Sequence, residues 1–125
     1  MNKEVKLDKF IEFLLNRPNS EHCPIRKTLE MLSGKWRTQV IYELCKKQLC
    51  KKQSCRFNEL KKGIPGITNT MLTTALRDLE SKGIVHREQY NEIPPHVEYS
   101  LTEKGKDLLP VFYEIARWSD KYGDI

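Results

Sequence analysis

Apolar residues recur along this chain with two different periods. Between Lys3 and Asn16, Leu7, Phe10, Ile11, Leu14 and Leu15 fall at the three- and four-residue spacing of one helix face. Pro18-Asn19-Ser20 ends that helix. Cys23-Pro24 opens a second. Proline is favoured at the first helical position, which leaves Cys23 at or next to the N-cap. Ile25, Leu29 and Leu32 supply an edge expected to be buried. Ser33-Gly34 breaks the pattern, and Trp36, Val40, Ile41 and Leu44 mark a core helix. The stretch Cys45 to Ser54, CKKQLCKKQS, reads as a polar loop or a frayed helix end, with Cys55-Arg56 a brief strand.

Phe57 and Leu60 anchor a short helix, and Gly63-Ile64-Pro65-Gly66 makes a turn after it. A longer helix follows. The Thr68 hydroxyl can accept from an orphan amide of its first turn, and Gly83 tolerates the left-handed conformation that stops it. Met71, Leu72, Ala75, Leu76 and Leu79 form its apolar stripe. At about 100° per residue the opposite side carries Thr70, Thr73, Thr74 and Arg77, with Asn69 flanking. Beyond Gly83 the period drops to two. Ile84 to Tyr90 and Val97 to Leu101 read as strands. The segment between them holds Pro94 and Pro95, which cannot donate to a ladder, so it forms a stiffened hairpin tip. Thr102 caps a last helix, with Glu103 at its positive end and Leu108, Leu109, Val111, Phe112, Ile115, Ala116, Trp118 and Tyr122 along it.

A helix–turn–helix followed at once by a two-stranded wing predicts a winged helix-turn-helix. The fold class is mainly α with a small β-hairpin: a three-helix core plus wing. The longer helix is the reading element. Short hydroxyl side chains and one guanidinium suit the major groove, where Arg can grip guanine at two atoms. The plainer reading of such a face is solvation; the order of elements around it favours DNA.

Charge sharpens the picture. The 125 residues carry 22 Lys and Arg against 17 Asp and Glu, a net +5. From Lys46 to Lys62 stand Lys46, Lys47, Lys51, Lys52, Arg56, Lys61 and Lys62, opposed by Glu59 alone. That block adjoins the reading helix, where phosphate contacts are wanted. Arg87 and His96 near the wing are further backbone or minor-groove candidates, and Lys35 faces phosphate or solvent. No apolar run approaches a membrane span, and the amphipathic start is unlike a signal peptide. We expect a cytoplasmic protein with one domain over residues 1–125.

Three stretches, CPIRKTLEMLSGKW, RFNELKKGIPGITNTMLTTALRDLESKGIVHRE and YNEIPPHVEYSLTEKG, resemble the HxlR-type winged-helix transcriptional regulators of bacteria. The resemblance covers roughly residues 23–118. It implies a homodimer held by the terminal helices, residues 1–20 and 102–125, with each subunit placing its reading helix on half of an inverted repeat. Several members sense oxidants or electrophiles through a cysteine just ahead of the CP helix, by position Cys23 here. One departure is the link between Leu44 and Arg56, which is longer than usual and carries Cys45, Cys50 and Cys55.

Cys23 has a physical case of its own. A helix N-terminus and nearby Arg26, Lys27 and His22 all stabilise a thiolate; the plainer reading is a cysteine that only packs. The five-residue spacing of Cys45, Cys50 and Cys55 is unlike the tight pairs of zinc sites, so ordinary thiols are expected, and no metal or cofactor. No Gly-rich phosphate loop, paired carboxylate or nucleophile with base and orienter is present, so an enzyme is not expected. The alternative to DNA binding is a winged helix that docks protein, since fold alone does not establish function.

Overall fold

The computed structural model describes residues 3–16, 23–49 and 54–123. The proline-ended turn at residues 18–20, His22, Cys50, Lys51 and Lys52 lie outside the described residues. Two units are distinguished, Met1–Leu32 and Ser33–Ile125.

The first unit holds α1 (Lys3–Leu15) and α2 (Pro24–Leu32). On α1 the whole apolar face is exposed: Leu7, Phe10, Ile11, Phe13, Leu14 and Leu15. Helix α2 starts at Pro24 as its sequence dictates. Cys23 is its N-cap residue: its carbonyl accepts from the Lys27 amide at 3.1 Å, and its Sγ accepts from the Arg26 amide at 3.5 Å. The edge expected to be buried is not. Leu32 is buried, but Ile25 is 50% and Leu29 58% exposed. Periodicity reports which side of a helix is apolar, not whether the same chain supplies its cover.

The second unit is the winged helix. Its elements are α3 (Arg37–Leu49), β1 (Cys55–Arg56), α4 (Phe57–Gly63), α5 (Asn69–Ser81), β2 (Val85–Tyr90), β3 (His96–Leu101), α6 (Glu103–Lys106) and α7 (Leu109–Tyr122). Helix α3 runs on through Cys45 to Leu49, where a loop or frayed end was expected. Lys46 reaches back to the buried Glu43 at 2.8 Å, a pair one helical turn apart that supports this extra turn. Val40, Ile41 and Leu44 of α3 meet Leu60, Ile64, Leu72, Leu79 and Ile84 in a core where each is 2% exposed or less.

The sheet has three antiparallel strands in the order β1-β3-β2. The brief strand at Cys55-Arg56 forms and pairs with Tyr99 and Glu98. In the hairpin, Val85 faces Leu101, Arg87 faces Tyr99, Glu88 faces Glu98 and Tyr90 faces His96. Alternation puts Val85 and Arg87 on one side of the wing and His86, Glu88 and Tyr90 on the other.

The last helix is not continuous. Thr102 caps it, accepting from the Gly105 amide at 3.1 Å and donating to the Gly83 carbonyl. After four residues the helix stops, turns at Asp107-Leu108 and restarts as α7. Pro110 explains the break, because proline offers no amide to the carbonyl four residues back and its ring crowds that turn. The outer face of α7 leaves Val111, Ile115, Trp118 and Tyr122 exposed.

Candidate nucleic-acid interface

Local rules place α5. The Thr68 hydroxyl accepts from the Met71 amide at 3.1 Å, completing the expected N-cap. At the other end Gly83 has φ +74, the left-handed value that glycine adopts without strain, and the Ile84 amide returns to the Leu79 carbonyl at 2.9 Å. The helix therefore leads straight into the wing. Leu72, Ala75, Leu76 and Leu79 anchor its inner face. A salt bridge of 2.8 Å between Arg37 and Asp78 ties the start of α3 to α5.

The outward crest is the one expected. Asn69, Thr70, Thr74 and Arg77 are exposed and Thr73 is half-buried. Met71 departs from the expectation: assigned to the buried stripe, it is 42% exposed. Its wheel position lies at the margin of that stripe, nearer the polar side than Leu72 or Ala75, and the neighbouring wall of α3 leaves it room.

Folding gathers three of the sequence candidates, Thr73, Arg77 and Arg87, into one polar groove. Thr73, Arg77 and Glu80 of α5, Arg87 of β2 and Tyr99 of β3 line a cleft of about 290 Å³ between helix and wing. Neither Arg77 nor Arg87 forms a salt bridge with a described carboxylate. With two guanidinium groups and one carboxylate, Glu80, the lining is net positive and suits an anion such as a backbone phosphate. Lys61 and Lys62 sit in the last turn of α4, Lys62 exposed and Lys61 half-buried.

Arg56 and His96 are placed differently. Arg56 is exposed at the start of α4, its amide donating to Glu59 at 3.3 Å, and it stands opposite Glu98 in the sheet. His96 is held within the hairpin on the face away from Arg87. Its ring stacks on Tyr90 with centroids 4.8 Å apart, and its Nε2 lies 3.0 Å from the Glu98 carboxylate. Glu98 also accepts from the Ser54 hydroxyl. The Ser54 bond above all, then the His96 bond, hold the Glu98 carboxyl below its usual value. A carboxyl with a depressed folded-state pKa stabilises fully above its unfolded pKa and loses that contribution as pH falls through the folded value. We expect the protection factors of the amides around Ser54 and His96, exchange corrected for its intrinsic pH dependence, to fall in acid as Glu98 protonates, with Glu98→Gln lowering them already at neutral pH. Unchanged protection factors in both would refute the clamp.

The cysteines divide by burial. Cys23 is exposed, whereas Cys45 and Cys55 are buried, and burial pushes the Cys45 thiol up, away from the reactive thiolate. Among the described residues no three His, Cys, Asp or Glu side chains cluster to hold a metal ion. No helix of the described residues is long and apolar enough to cross a membrane.

Comparison with known proteins agrees with this architecture. Residues 31–125 match the family model described as HxlR-like helix-turn-helix. The chain is 44% identical over 108 residues to YybR of Bacillus subtilis (strain 168), named an uncharacterized HTH-type transcriptional regulator, covering 86% of this chain and 82% of that one. Among solved structures, the redox regulator HypR in its oxidized form superposes with TM-score 0.68 at 42% identity, covering 82% of this chain and all of that one. The diamide-treated YodB of B. subtilis superposes with TM-score 0.65 at 33% identity, covering 85% of this chain and all of that one. With its capped helix α5, its wing and these likenesses, the chain belongs to the HxlR-like helix-turn-helix family of transcriptional regulators.

Proposed function

We propose that the chain is a homodimeric, sequence-specific DNA-binding regulator acting in the cytoplasm on an inverted-repeat operator. The observation that carries this reading is the crest of α5, where Thr70, Thr74 and Arg77 stand exposed beside the Arg77–Arg87 groove. A helix entering the major groove meets a phosphate wall at its flank, so crest and groove suit base edges and backbone respectively. The exposed apolar faces of α1 and of α7 each suit a second copy of the chain, which would give the two half-site contacts a common frame. Selection of bound duplexes from a random pool tests the whole reading. A palindromic half-site pair should emerge, and affinity should fall steeply with salt. Recovery of no preferred sequence at low salt would reject it. Lys61→Ala should weaken binding to all sequences alike and lower the salt slope by about one per subunit.

The regulatory part rests on Cys23. It is exposed, caps α2 and takes a hydrogen bond from the Arg26 amide. Diamide would join two Cys23 thiols of a dimer, which lose two electrons and two protons while the diazene becomes a hydrazine. The bridge would alter the spacing of the reading helices. Cys23→Ser should keep DNA binding and abolish its response to diamide. Operator release equal to that of the unaltered protein would remove Cys23 from the scheme.

A further inference from the structure

A second groove borders α5 on the side away from the wing. It measures about 410 Å³, within the range of about 300–1,000 Å³ typical of small-molecule sites. Trp36, Met71 and Ala75 contribute its apolar surface, and Thr70, Thr74 and Lys35 its polar rim. At its far end Arg37 and Asp78 neutralise one another across 2.8 Å. Lys35 forms no salt bridge with a described carboxylate; its ammonium rests over the Trp36 ring, 4.6 Å from the centroid. The lining is therefore mostly apolar and carries, in Lys35, one positive charge that no described carboxylate neutralises.

We propose that this groove binds a planar aromatic anion of one or two rings, and that its occupancy releases DNA; the second half rests on the reading of α5 given above. The chemistry selects that occupant. An indole face offers a stacking partner, the Met71 thioether adapts to an inserted ring and favours aromatic contact, and the Lys35 ammonium pairs with a carboxylate or phenolate. A bare phosphate would satisfy Lys35 but leave the indole and the thioether facing water. Thr70 and Thr74 belong both to the rim of this groove and to the crest of α5. A ring seated there occupies the side of the helix that enters the major groove, so ligand and DNA exclude one another, and each weakens the other by the same factor.

Tryptophan fluorescence tests the site without DNA. In a Trp118→Phe background Trp36 is the remaining tryptophan. Titration with 1-naphthoate should quench it saturably, with a dissociation constant on the order of 0.1–1 mM for so small a ligand. Lys35→Met, which keeps the stem over the ring, should weaken binding about tenfold, and neutral 1-naphthalenemethanol should bind about tenfold more weakly than the carboxylate. At about ten times its dissociation constant, naphthoate should lower operator affinity at least about tenfold, while acetate at equal ionic strength should not. Absence of saturation up to about 10 mM would overturn the site, as would inorganic phosphate displacing naphthoate, and so reversing the quenching, at equal concentration, which would make the groove a backbone seat. Equal quenching by the neutral alcohol would overturn the anionic class, and binding with no loss of operator affinity would overturn the coupling. Because quenching is read on free protein, failure of the DNA reading alone would leave it intact.

Discussion

Replacement of Gly105 by alanine is expected to cost the Ser33–Ile125 unit about 3 kcal/mol, at the upper end of what overpacking one methyl costs. A β-carbon on Gly105 would lie 2.4 Å from the Ile84 carbonyl oxygen and 3.0 Å from Cδ2 of Leu101. The first neighbour is backbone, and it is already committed. That carbonyl accepts from the Thr102 amide at 3.0 Å, the bond that joins the end of β3 to the start of β2. Relief would mean moving the junction through which the capped helix α6 is fastened beneath the wing. For a unit of this size the loss corresponds to a fall in melting temperature of roughly 12–24 °C. Urea denaturation followed by circular dichroism would measure it, and a change below about 0.5 kcal/mol would show that α6 can shift freely.

Removing both Arg77 and Arg87 is expected to lower operator affinity about a hundredfold or more, since each contact of this kind is worth about 1–3 kcal/mol. The two single alanine variants should differ in kind. Arg77 lies at the edge of the crest and lines the groove, so its loss should both weaken binding and relax base preference. Arg87 belongs to the wing strand, so its loss should weaken all sequences alike and reduce the salt slope by about one per subunit. The circular dichroism of both variants should match the parent, because neither guanidinium is tied to a described carboxylate. Binding titrations over a salt series separate the outcomes, and an unchanged affinity in the double variant would remove this groove from the interface.

What could be read in the chain was what depends on near neighbours. The Thr68 cap, the Gly83 stop and the Leu72 to Leu79 stripe are matters of a few residues each, and all stand where the pattern put them. The hairpin was legible because alternation and Pro94-Pro95 mark it directly. What escaped depends on distant partners. Nothing local says that Arg37 meets Asp78 across 41 residues, or that Glu98 draws Ser54 and His96 to itself. The exposure of Ile25 and Leu29 escaped because a wheel diagram cannot tell an intramolecular cover from one supplied elsewhere. The break before α7 could have been found: Pro110 sits four residues after Lys106, and the run of apolar residues around it masked a stop signal in plain view.

The two-residue strand β1 has an engineering consequence. Its ladder to Tyr99 and Glu98, with the Ser54 hydroxyl bonded beside it, pins the backbone directly ahead of α4. Upstream length is thereby decoupled from the pose of α4 and α5. Lengthening the chain ahead of Ser54 should leave operator recognition intact, because any added residues end before the pinned register begins.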